Sequence, residues 1–144
     1  HLSHSGLANI IVTNRCDLTC WYCFFYVKKG LEGAYMYEPT QDQVRAMMKT
    51  LRAERPIPGN SMQITGGEPM LREDITDLIK IMKEEHVDHI QMNTNGIRHA
   101  LDPEAGRDVR MAGCNNLYLS FDGVTARTNP KNHWEIPYAL DTCR

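Results

Sequence analysis

The stretch "LANIIVTNRCDLTCWYC", Leu7–Cys23, changes character half-way along. Leu7–Asn14 is a continuous, β-branched apolar run ending on polar residues, which reads as a buried strand. Directly after it come Cys16, Cys20 and Cys23, spaced like metal ligands. A closed metal site usually has four ligands. Either a fourth comes from elsewhere, or one coordination position stays open.

Working outward, short apolar runs alternate with helical periodicity. Thr40 and Gln43 form a capping-box pair, followed by Val44, Met47, Met48 and Leu51 at helical spacing. Met62–Thr65 is a short strand closing on Gly66-Gly67. Ile75, Leu78, Ile79 and Met82 mark a second helix with Asp74 as its cap. His89–Gly96 is a third strand, Pro103–Ala112 a weaker helix, and Asn116–Gly123 a fourth strand. Strands separated by helices without hairpin signals imply parallel βαβ units, curled by right-handed crossovers into an open sheet or a barrel. In such α/β folds ligands sit at the carboxyl ends of the strands. Those ends carry Cys16–Cys23, Gly66–Pro69, Asn93–Gly96 and Ser120–Gly123, so the unusual chemistry falls on one rim.

The 144 residues amount to one domain at most. With 42% hydrophobic residues, 24% charged residues and a net charge of -2, the composition excludes a strongly basic nucleic-acid binder. No apolar run is long enough to cross a bilayer, and "HLSHSG" is not a signal peptide. Five cysteines, three of them crowded together, do not form a secreted disulfide framework, which points to a reducing cytoplasm. The absent initiating Met, and a helix opened by Pro137 with no stop signal, predict a fragment of a longer protein, truncated at both ends.

Thiolates suit zinc or iron–sulfur clusters. Zinc would need a further ligand such as His1 or His4, folded back from before the strand. A [4Fe–4S] cluster takes one thiolate per iron, so three cysteines leave one iron open, as catalytic metal sites require. Cys16-x-x-x-Cys20-x-Tyr22-Cys23 after a first strand resembles the signature of radical S-adenosylmethionine (radical SAM) enzymes. The resemblance implies residues 1–144 to be the N-terminal portion of a radical SAM core, a partial parallel TIM-like barrel of about four βα units. It also implies that S-adenosylmethionine chelates the open iron and is split by one electron into methionine and a 5′-deoxyadenosyl radical, which abstracts hydrogen from substrate. A reduced ferredoxin- or flavodoxin-type donor would supply the electron.

By the same resemblance Cys16, Cys20 and Cys23 bind the cluster. "TGGEP" (Thr65–Pro69) matches the family's GGEP segment: Gly66 and Gly67 let backbone approach the cofactor's methionine end, and Glu68 orders that region. Tyr22 packs near the adenine, and Asn95, Ser120 and Asp122 contact the cofactor. Each has a plainer reading: Gly66-Gly67 and Asn95-Gly96 as turns, Ser120 and Asp122 as local caps, and Trp21, Tyr22, Phe24 and Phe25 as cover for the cysteine loop. Cys114 and Cys143 read as small buried hydrophobes. The methionines read mostly as core, His86 and His89 as flanking a helix end, and Lys28, Lys29, Arg98 and Arg127 as solvated. No residue is assigned to the hydrogen-abstraction step.

"CWYCFFY", "YMYEPT" and the loop carrying Asn129, Pro130, Asn132, His133, Trp134 and Glu135 resemble the archaeal radical SAM subgroup that includes tetraether lipid synthases. That implies carbon–carbon bond formation between lipid tails, with peripheral membrane association. Relatives in the subgroup point instead to methylation of a pterin-type small molecule. The competing class is a non-enzymatic metal-binding module. It leaves the motifs at the other three strand ends without a purpose. A nucleotide-binding domain without a cluster leaves the cysteines unexplained and lacks a phosphate loop.

Overall fold

The computed structural model describes residues 7–18, 20, 22–23, 38–123, 125 and 127–128. His1, His4, Trp21, Phe24, Phe25, Lys28, Lys29, Tyr35–Tyr37, the 129–135 loop, Pro137 and Cys143 lie outside the described residues. The elements are β1 (Ala8–Thr13), α1 (Gln41–Ala53), β2 (Ser61–Gly66), α2 (Ile75–Glu84), β3 (His89–Thr94), α3 (Ile97–Leu101), α4 (Pro103–Ala112) and β4 (Asn116–Leu119).

The four strands are parallel and lie in the order β1-β2-β3-β4. Sequential order means that every crossover steps the same way. Right-handed connections then put every helix on one face of the sheet. Side chains alternate along a strand, so burial shows which face that is. Ile10, Val12, Met62, Ile64, Ile90 and Met92 are buried in one core with Val44, Met48, Leu78, Ile79, Met82 and Val109 from the helices. Their neighbours in the strands, among them Asn9, Ile11, Gln63, Gln91, Asn116 and Tyr118, face away from the helices. This singly wound α/β sheet is an arc of a TIM-like barrel; a doubly wound sheet would step outward in two directions from its centre.

Local chemistry agrees with much of the reading. The Thr40 hydroxyl accepts from the Gln43 N–H (3.2 Å), and the Gln43 side chain accepts from the Thr40 N–H (2.9 Å). Cys114 is buried, its thiol directed at the Asn116 carbonyl (3.2 Å), and burial raises its pKa. Several expectations change. Met47 is 38% exposed and Met111 78%, so neither belongs to the core. Asp74 stands at the N-terminus of α2 but makes no capping bond, because Arg72 grips both of its carboxylate oxygens at 2.8 Å. His89 lies within β3, and His86 alone takes the left-handed position after α2, at φ 64°. Arg98 is exposed yet anchored, donating to the Met70 carbonyl (3.3 Å). β3 and β4 stop at Thr94 and Leu119, and α3 follows Gly96, whose φ of 79° turns the chain. Among the described residues no helix is long and apolar enough to cross a membrane.

Candidate active site

The segment leaving β1 carries the three cysteines, and it is stitched across the carboxyl ends of the other strands. The Gly67 N–H donates to the Thr13 carbonyl (2.9 Å), and the Glu68 N–H to the Arg15 carbonyl (2.7 Å). These contacts demand glycine. A Cβ on Gly66 would lie 2.2 Å from the Thr13 carbonyl oxygen, and one on Gly67 2.1 Å from that of Arg15. The expectation that these glycines make room for a cofactor is therefore incomplete: their bare faces are filled by the β1 exit. Further along, the Asn95 amide donates to the Asp17 carboxylate (2.7 Å), and the Tyr22 hydroxyl donates to Asp122 beyond β4.

Behind the β1 exit, Glu38 accepts from the Thr13 hydroxyl (2.8 Å) and from the Arg15 guanidinium. Burial works to raise the Glu38 pKa, but these donors and the positive charges of Arg15 and Arg72 prevail and lower it. Arg72 is buried and donates to the carbonyls of Val12 (2.8 Å) and Pro39 (3.0 Å), binding the end of β1 to the segment that opens α1.

Glu68 is buried at 1% exposure. One carboxylate oxygen accepts from the Met70 N–H (3.0 Å) and the Thr94 hydroxyl (2.8 Å), the other from the Asn95 N–H (2.7 Å). Burial pushes its pKa up to about 7, with the three donors restraining the rise. Glu68 lies under the rim and holds β2 to β3.

Above it opens a cavity of about 220 Å³. Cys16, Cys20, Tyr22 and Cys23 line one side, Gly66 and Gly67 the floor beside β2, and Asn95, Ser120 and Asp122 the far side. Every residue expected at the site lines this one cavity except Glu68. Leu18, Thr65, Asn93 and Thr94 line it as well and were not anticipated. Asn93 and Thr94 belong to the Asn93–Gly96 strand end on the rim, and strand alternation could have pointed Asn93 to the open face. Nothing in the sequence signals Asp17, Arg15 or Arg72, whose roles depend on partners far along the chain.

The donors fit a cluster. Three soft sulfurs share one cavity, and the Leu18 N–H donates to Cys16 Sγ (3.4 Å), the kind of bond that tunes cluster sulfurs. Cys16 is exposed at the cavity edge, yet partial desolvation by its surroundings pushes the thiol up to about 11, with the charges of Asp17, Glu68 and Cys20 adding to the rise and the Leu18 N–H opposing it. A thiolate there calls for cationic metal. Among the described residues no three ligand side chains converge on a single ion. A cluster binds each thiolate through a different iron and so accepts sulfurs set apart.

Residues 10–139 match the Radical SAM superfamily. The chain belongs to that superfamily. Its members use a [4Fe–4S] cluster and S-adenosylmethionine. The chain is 39% identical over 127 residues to 7,8-dihydro-6-hydroxymethylpterin dimethyltransferase of Methanocaldococcus jannaschii, covering 88% of this chain and 24% of that protein. It is 32% identical over 140 residues to GTP 3',8-cyclase of Clostridium acetobutylicum (93% and 42% covered). It is 31% identical over 127 residues to a probable GTP 3',8-cyclase of M. jannaschii (88% and 38%). The chain thus spans less than half the length of these curated relatives. For a radical SAM core the stitched loop has a clear use: it fixes the cysteines relative to the strand ends.

Proposed function

We propose that this chain is the core of a radical SAM enzyme whose cavity holds the cluster on Cys16, Cys20 and Cys23 and seats S-adenosylmethionine against Gly66, Gly67, Asn95, Ser120 and Asp122, with Tyr22 over the adenine. The observation that supports it best is the meeting of three cysteines and three other strand ends around one cavity. Cys16, Cys20 and Cys23 would hold the cluster, which when bound and reduced would supply the one electron needed for reductive cleavage of S-adenosylmethionine. The protein's own residues orient and shield. The Tyr22–Asp122 bond closes the cysteine loop over β4, burial raising the Tyr22 pKa and the bond to Asp122 adding to it, so the hydroxyl keeps its proton and the bond. Glu68, through Thr94 and Asn95, keeps the β2 and β3 ends in register beneath the cofactor.

For the substrate we favour methylation of a pterin-type molecule, supported by the relative at 39% identity, whose name states that chemistry. The joining of lipid tails rests on segments that lie mostly outside the described residues, and the relatives named above act, by name, on a pterin and on GTP. The electron donor would be a reduced flavodoxin or ferredoxin, and the compartment the cytoplasm.

The test is anaerobic reconstitution of the full-length protein with iron and sulfide, followed by measurement of 5′-deoxyadenosine under reducing conditions. Wild type should form it, and each of Cys16→Ala, Cys20→Ala and Cys23→Ala should lose the iron–sulfur chromophore and product formation together. Cleavage that survived in the triple variant would overturn the assignment.

A further inference from the structure

The face of the sheet turned away from the helices carries an unusual row. Asn9 pairs with Gln63, Gln63 with Gln91, and Gln91 with Asn116, so four carboxamides lie side by side across all four strands. The next row toward the carboxyl ends holds Ile11, Thr65, Asn93 and Tyr118, and its two central members, Thr65 and Asn93, line the cavity. Two residues of strand separate the rows, about 7 Å at the usual rise of a parallel strand. The amide row is therefore continuous with the cavity and lies just below it.

Its chemistry is selective. None of the four strands carries an Asp, Glu, Lys or Arg, and His89, bonded to Asn116 (3.4 Å), is the one imidazole on this face, so the wall offers no ammonium, guanidinium or carboxylate to a phosphate or a carboxylate. A barrel interior is ordinarily filled by branched apolar side chains; here the corresponding positions are amides. Among the described residues the side chains of Asn9, Gln63 and Gln91 make no hydrogen bond, and Asn116 meets only the His89 ring (3.4 Å). Hydrocarbon laid against this row would strand donors and acceptors. A carboxamide presents a donor and an acceptor side by side, and that pair matches the adjacent ring-nitrogen and exocyclic groups on the edge of a planar heterocycle.

We propose that Asn9, Gln63, Gln91 and Asn116 form the substrate-recognition wall, and that it takes an uncharged heterocycle with a lactam-type edge. The inference rests on the radical SAM reading and narrows its substrate. It assigns the four amides to orientation of the ring below the cavity, and it places phosphate groups and alkyl chains away from this wall.

The test uses the reconstituted full-length protein with 7,8-dihydro-6-hydroxymethylpterin as probe, GTP and a long-chain membrane lipid as comparators, and the near-isosteric variants Gln63→Leu and Gln91→Leu. Each variant should keep the iron–sulfur chromophore, which reports folding, and raise KM for the pterin about ten-fold while KM for S-adenosylmethionine stays put. Restoring an amide of different length, as in Gln63→Asn, should recover part of the loss. An unchanged pterin KM in both leucine variants would overturn the inference. So would wild-type turnover of the lipid in preference to both ring-bearing probes, since the guanine of GTP presents the same lactam-type edge as the pterin. Absence of 5′-deoxyadenosine with every probe would instead strike the underlying reading of the site, so the two failures are told apart.

Discussion

At the scale of single residues, Glu68 is the informative one. It stands in a motif whose carboxylate was expected to help order the cofactor's methionine end, and the structure buries it under three donors. Its folded pKa of about 7 lies above the ordinary 4.5. Between those values the folded protein holds a proton that the unfolded chain has released. The contribution to stability is therefore complete below 4.5 and is lost as pH rises through 7, on the order of a few kcal/mol at most. Glu68→Gln removes this titration. Thermal unfolding of the full-length protein at pH 5 and pH 8 should show wild type losing several degrees more than Glu68→Gln over that interval. Parallel changes in the two proteins would refute the role of burial.

At the scale of elements, the loop between β1 and α1 depends on backbone closeness rather than on side-chain packing. Its cysteines are set by Thr13, Arg15 and Asp17 meeting Gly67, Glu68 and Asn95. Gly67→Ala would drive a Cβ to 2.1 Å from the Arg15 carbonyl oxygen, and backbone must give way. The expected outcome is retained helical circular dichroism with iron content reduced by half or more, measured after reconstitution. Normal iron loading in this variant would show that the loop finds its place without the glycine contact.

How far the sequence could be read also divides at this scale. Strand and helix positions followed from periodicity, because burial on one helix face or one sheet face leaves a repeating signature in Val44 and Met48 or in Ile10 and Ile64. The cysteines and the Gly66-Gly67 turn were legible because their chemistry is unusual. Arg72 was not. It joins Val12, Pro39 and Asp74, and a lone arginine in a loop carries no periodic mark of being buried. Asp74 was misread for the same reason, since its capping chemistry was diverted to Arg72 two residues away. α3 escaped notice because five residues are too few for a helical period to register.

At the scale of the whole molecule, a singly wound sheet separates two tasks. One face packs against helices and supplies stability; the other is left polar, with its chemistry at the strand ends. Parallel strands bring every carboxyl end to the same rim, so Cys16, Gly66, Asn95 and Ser120, distant in sequence, line one cavity. The central claim is that three thiolates at this rim leave one metal position for S-adenosylmethionine. Electron paramagnetic resonance of the reduced, anaerobically reconstituted full-length protein tests it most directly. The account predicts a [4Fe–4S] signal whose g values shift when S-adenosylmethionine is added. A cluster spectrum indifferent to S-adenosylmethionine, or stoichiometric zinc with no cluster signal at all, would contradict it.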